Sequence, residues 1–149
     1  MEQNIALRTE TDTAALAAHF AALLHAGDVL LLEGQIGAGK SFFARALIRA
    51  RLQNPHEDVP SPTFTLVQTY DADVQIWHSD LYRLTHPDEV IELGLTDAFA
   101  DAICLIEWPD RLGSLTPAHA LTLSFAALPD GTHRVAISGD ATWEARLAV

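Results

Sequence analysis

Lysine is nearly absent from this sequence: Lys40 is the only one in 149 residues. All other basic side chains are arginines, at Arg8, Arg45, Arg49, Arg51, Arg83, Arg111, Arg134 and Arg146. Without a lysine after Lys40, the Asn/Thr-Lys-x-Asp segment that reads guanine in GTPase switches cannot exist. Positive charge as a whole is scarce, with 9 basic against 20 acidic residues and a formal net charge of −11. Such a chain is a poor electrostatic match for a nucleic-acid backbone, and direct binding of DNA is not expected. Cysteine occurs once, at Cys104, which excludes an intramolecular disulfide or a multi-cysteine zinc site. Its place inside an apolar run reads as an inert core thiol. Long hydrophobic runs are missing too. Val29–Leu32 and Ile103–Ile106 are strand-sized, far below the roughly 20 residues that cross a bilayer, so no membrane association is expected. Met1-Glu2-Gln3-Asn4 has neither the basic start nor the apolar stretch of a secretory signal, which predicts a cytoplasmic protein.

What is present is a folded-domain composition, 49% hydrophobic and 19% charged, in a length suited to a single domain over residues 1–149. Helical spacing of Leu16, Phe20, Leu23 and Leu24 predicts a helix over 11–25, capped at Thr11 or Asp12. Val29–Leu32 reads as a strand buried on both faces, and residues 40–52 read as a helix that Asn54-Pro55 stops. Phe64–Tyr70 and Val74–His78 flank Asp71-Ala72-Asp73 as a hairpin. Pro87-Asp88-Glu89 starts a helix leading into Val90–Leu93, and Thr96–Phe99 reads as a short helix or turn. Ile103–Ile106 is a second buried strand, Leu121–Phe125 and His133–Ser138 a second hairpin, and Thr142–Leu147 a final helix. The expected fold class is α/β: a mixed parallel and antiparallel sheet of about six or seven strands flanked by helices.

Gly34-Gln35-Ile36-Gly37-Ala38-Gly39-Lys40-Ser41 matches G-x-x-x-x-G-K-[ST] between a predicted strand and a predicted helix, the setting this phosphate-binding loop requires. At average residue usage the pattern arises by chance in roughly half a percent of chains this long. Its glycines let backbone N–H groups converge on phosphate oxygens, and the new helix adds its positive end. Lys40 then reaches the β and γ phosphates and the Ser41 hydroxyl ligates Mg²⁺. Ile103-Cys104-Leu105-Ile106-Glu107 is an apolar strand ending in a carboxylate suited to holding Mg²⁺, although an acid can also merely mark a strand end. Asp80, just after a predicted strand, suits positioning of an attacking water; alone it more often reads as a turn residue. Thr63 and Thr65, in a proline-punctuated loop, stand where nucleotide switches place a threonine. Trp108 follows Glu107, where stacking competes with packing. The seven histidines show no metal-ligand spacing, and Arg45, Arg49 and Arg51 read as a solvated helix face or a docking patch.

Gly34–Ser41, Ser61-Pro62-Thr63-Phe64-Thr65-Leu66-Val67, His78-Ser79-Asp80-Leu81-Tyr82-Arg83 and Leu105-Ile106-Glu107-Trp108-Pro109, in this order and spacing, resemble the TsaE (YjeE) family. These are small P-loop ATPases of bacterial tRNA threonylcarbamoyladenosine biosynthesis. The likeness covers about residues 5 to 115; beyond them only the general strand pattern agrees. It implies a single P-loop NTPase domain that uses ATP and Mg²⁺. It also implies partnership with TsaB and TsaD. TsaD transfers the threonylcarbamoyl group to adenosine 37 of tRNAs reading codons that begin with A, and ATP hydrolysis resets the complex. Hydrolysis is then expected to be weak alone and stimulated by partners, with tRNA met only through the complex.

By matching position, the resemblance places Gly34, Gln35, Ile36, Gly37, Ala38, Gly39, Lys40, Ser41 and Phe42 around the nucleotide, with Trp108 beside it and Thr11 near the adenine. It assigns Ser41, Glu107 and Thr63 to Mg²⁺, and Asp80 and Lys40 to catalysis. Gln35 and Ser41 depart from the aspartate and threonine usual there; serine keeps the ligating hydroxyl. Two other readings of the loop stand beside this one. A small-molecule P-loop kinase would need an acceptor pocket and a lid, and no lid segment is evident. A nucleotide-gated binding protein would need no turnover.

Overall fold

Val29–Glu33 (β2) and Ile103–Glu107 (β5) carry apolar residues at successive positions, and such strands are stable only with both faces covered. A computed structural model, which describes residues 1–148, shows how they are covered. β2 lies in the middle of a seven-stranded sheet of order β1-β7-β6-β2-β5-β4-β3. The remaining strands are Glu2–Leu7 (β1), Val67–Asp71 (β3), Gln75–Asp80 (β4), Leu121–Ala127 (β6) and His133–Ser138 (β7). β2 pairs in parallel with β5 and β6, and β5 in parallel with β4; the β1–β7, β6–β7 and β3–β4 pairs are antiparallel.

Alternation along the central strands builds two cores. Leu30, Leu32, Ile103 and Leu105 point to one face, where Phe20 of α1 (Glu10–Leu23) and Phe43, Leu47 and Ile48 of α2 (Lys40–Leu52) close over them. Val29, Leu31, Cys104 and Ile106 point to the other, under Val90 of α3 (Asp88–Glu92), Leu95 and Ala98 of α4 (Leu95–Asp101) and Leu112 of a 3₁₀ turn. Fully burying a side chain of this size is worth about 1.5–3 kcal/mol, so these layers hold the parallel strand ends in register. Trp143 of α5 (Ala141–Leu147) joins the first core.

Several local expectations are corrected. The cap of α1 is Thr9, whose hydroxyl accepts from the Asp12 N–H at 3.2 Å, rather than Thr11 or Asp12. Residues 2–7 form an edge strand that sequence periodicity did not reveal, because its partner β7 lies more than a hundred residues away. The segment from Phe64 to Leu66 is a turn, not strand: the Leu66 N–H bonds Pro62 O at 2.7 Å, and Leu66 sits at φ 69°. β4 runs through to Asp80, so this carboxylate ends a strand instead of following one. Arg49 and Arg51 are neither a solvated face nor a docking patch. Arg49 Nε donates to Glu57 O, while Arg51 Nη1 caps the end of α1 through Ala21 O and Leu24 O at 2.6 and 2.7 Å. The rest of the Arg51 guanidinium grips Asp73, whose carboxyl it holds below the usual carboxylate range.

Candidate active site

In a parallel sheet the carboxyl ends of adjacent strands open onto one crevice. Here β2, β5 and β4 deliver Gly34, Glu107 and Asp80 to the same edge, and Asp80 is the register partner of Glu107. A cavity of about 730 Å³ opens there, lined by the loop after β2, both carboxylates, Thr63, Tyr82 and Trp108.

The loop is shaped by glycine. Gly34, Gly37 and Gly39 sit at φ 137°, 85° and 109°, and a Cβ on Gly34 would stand 2.5 Å from Phe125 O. Of the amides from Ile36 to Phe42, only that of Ala38 donates within the protein among the described residues, to Gln35 O at 3.1 Å. The others, with the N-terminus of α2, form a concavity of unpaired donors suited to phosphate oxygens. Lys40 is buried, its Nζ 2.6 Å from Gly34 O and 3.8 Å from the centre of the Trp108 ring. Burial pushes its pKa below the usual lysine value, partly offset by the charges of Glu107, Asp80 and Asp110.

Opposite the loop, Ser41 Oγ donates to Glu107 Oε1 at 3.1 Å. Asp80 receives the Tyr82 N–H on Oδ1 and the Thr63 hydroxyl on Oδ2, at 3.0 and 3.2 Å. Among the described residues no three His, Cys, Asp or Glu side chains come together to hold a metal by themselves. The oxygens of Ser41 and Glu107, 3.1 Å apart, are of the type a hard cation takes. Trp108, at φ 56°, packs against Tyr82 with ring centroids 4.9 Å apart and planes tilted by 57°, so the two aromatics line one side of the cavity.

The descriptor of one family, "Threonylcarbamoyl adenosine biosynthesis protein TsaE", matches residues 7–135. The chain belongs to the TsaE family. It is 38% identical over 125 residues to the tRNA threonylcarbamoyladenosine biosynthesis protein TsaE of Rickettsia bellii, spanning 83% of this chain and 86% of that one. With the Treponema pallidum protein of the same description it shares 32% identity over 132 residues, 88% of this chain and 96% of the relative. The crystal structure of Bacillus subtilis YdiB superposes with a TM-score of 0.80 at 24% identity, covering 99% of this chain and 93% of that chain, a likeness of fold.

Within this TsaE fold, Gly37, Gly39, Lys40, Ser41, Ile36, Phe42, Thr63, Asp80, Glu107 and Trp108 all line the cavity. Gly34 is outside the lining, and its carbonyl accepts from Lys40 Nζ. Ala38 does not line it: the side chain is buried in the first core, where it fixes the loop from beneath. Gln35 is likewise outside the lining. Thr11 is exposed on the first turn of α1, and the helical period directs Glu10 and Thr13, three apart, into the cavity instead. Sequence reasoning missed those two, as well as Tyr82 and His133. It also left His78 idle, although His78, two residues before Asp80 on one strand face, places Nε2 2.7 Å from Glu107 Oε2. The two-residue spacing was the available signal. No helix among the described residues is long and apolar enough to cross a membrane.

Proposed function

We propose that this TsaE-family protein is a Mg²⁺-dependent ATPase that acts with TsaB and TsaD in the threonylcarbamoylation of adenosine 37 in tRNAs reading A-starting codons. The observation that carries the reading is the ring of unpaired loop amides and Lys40 facing Asp80 and Glu107 across one cavity. The loop amides bind the phosphates, and Lys40 exchanges Gly34 O for a phosphate oxygen. Ser41 Oγ and Glu107 would hold Mg²⁺, which would neutralise charge on the phosphate oxygens. Asp80 Oδ2, at the end of a strand and steadied by the Tyr82 N–H on Oδ1, orients the attacking water and accepts its proton. Thr63, already on Asp80, brings the 60–66 loop to the reacting end. Hydrolysis resets the complex after each transfer, and tRNA is contacted by the partners, in keeping with the net charge of −11.

The test is ATP hydrolysis measured with and without TsaB, TsaD and tRNA. Asp80→Ala is expected to lower kcat about 10²–10⁴-fold while leaving ATP affinity within a small factor; Lys40→Ala weakens binding as well. An Asp80→Ala protein that supports many turnovers of tRNA modification as well as wild type would overturn the ATPase reading. Hydrolysis indifferent to the partners would overturn the role in a complex.

A further inference from the structure

His78 is 2% exposed and outside the lining of the cavity. Its Nε2 nevertheless makes a fully buried 2.7 Å contact with Glu107 Oε2, while the other oxygen of that carboxylate accepts from Ser41 at 3.1 Å. The register explains the reach. His78 pairs with Leu105 and Asp80 with Glu107, so His78 and Glu107 are diagonal neighbours on one face of adjacent strands. A bare Nε2 would oppose carboxylate lone pairs, so Nε2 is the donor to Glu107, which leaves Nδ1 as the ring's other polar atom. That Nδ1 is buried without any partner. A histidine kept only for packing gains nothing from an orphaned nitrogen, which an apolar ring of the same size would not carry. The polar atom that is used is the one on Glu107.

We propose that His78 is a positioning residue for the cation site: its Nε2–H holds Glu107 Oε2 so that Oε1 stays turned toward Ser41 and the Mg²⁺ they share. Histidine and carboxylate partners outside the ligand shell orient ligands in this way elsewhere, and their loss typically weakens metal affinity about 10–100-fold. The inference rests on the proposed Mg²⁺-dependent nucleotide site.

The experiment is equilibrium titration of a fluorescent N-methylanthraniloyl-ADP, in EDTA and over a series of Mg²⁺ concentrations, on wild type and on His78→Phe, His78→Gln and His78→Asn. Thermal unfolding of each variant is measured in parallel. Phenylalanine keeps the ring and removes the donor; glutamine places an N–H near the Nε2 position and asparagine near Nδ1. The expected result is that His78→Phe and His78→Asn raise the Mg²⁺ concentration needed for half-maximal tightening about 10-fold or more. Metal-free affinity stays within about 3-fold, and His78→Gln restores most of the Mg²⁺ response. If His78→Phe fails to fold, the glutamine–asparagine contrast decides. Wild-type Mg²⁺ dependence in the phenylalanine or asparagine variant, or equal loss of metal-free affinity in all variants, would overturn the positioning role while leaving the proposed function intact. A wild-type protein whose ADP-analogue affinity ignores Mg²⁺ would instead overturn the Mg²⁺-site reading and this inference together.

Discussion

Replacing Gly34 by alanine tests whether the phosphate loop is held by close backbone approach. At φ 137° a residue with a Cβ is strained, which costs about 1–3 kcal/mol. The added Cβ would also stand 2.5 Å from Phe125 O and 3.3 Å from the Phe125 carbonyl carbon, well inside contact distance of a strand backbone that cannot rotate away. Relief requires the end of β2 to move off β6 by several tenths of an ångström, an overpacking cost of about 1–3 kcal/mol. Together these give about 2–6 kcal/mol, a large share of the 5–15 kcal/mol typical of a domain. The displacement also carries Gly34 O away from Lys40 Nζ, now 2.6 Å distant. Gly37→Ala is the control: its Cβ would meet nothing within 4 Å, and only the left-handed backbone at φ 85° is penalised, by about 1–2 kcal/mol. Urea unfolding followed by far-ultraviolet circular dichroism gives both differences. A Gly34→Ala protein no less stable than Gly37→Ala would refute the reasoning, because the Phe125 contact would then cost nothing.

Two further predictions come from buried titratable groups. Lys40 loses its proton below the ordinary value of 10.5 because burial disfavours the ammonium. Between its folded value and 10.5 the unfolded chain holds more protons than the folded one, so this group's penalty on folding is relieved as pH rises through that window. In the free enzyme, kcat/KM for ATP should therefore fall on an alkaline limb lying below 10.5, and Lys40→Arg should remove that limb even if activity is lower. The Cys104 thiol, with burial pushing its pKa up to about 12, should resist Ellman's reagent at pH 8 in the native protein and react in step with unfolding in urea. Rapid modification of folded protein would contradict its place beneath α4.

The amino-acid sequence by itself determined what depends on neighbours in the chain. Four consecutive apolar residues in β2 and in β5 have the length and pattern of strands covered on both faces, and the glycines before Lys40 permit the positive φ angles that turn the loop's amides inward. The phosphate end of the site was therefore legible as a contiguous motif. What tertiary structure decided are relations between distant segments. Pairing of β4 with β5 sets Asp80 against Glu107 and brings His78 to its carboxylate, contacts that span 29 residues in the His78 case. The rotation of α1, set by packing Ala17, Phe20 and Ala21 into the first core, turns Glu10 and Thr13 rather than Thr11 toward the cavity. Arginines 49 and 51 seemed free for a partner until packing supplied carbonyls for them. Spacing along a chain records which face a residue takes, whereas the partner across the sheet is chosen only when the two cores close and fix the strand order.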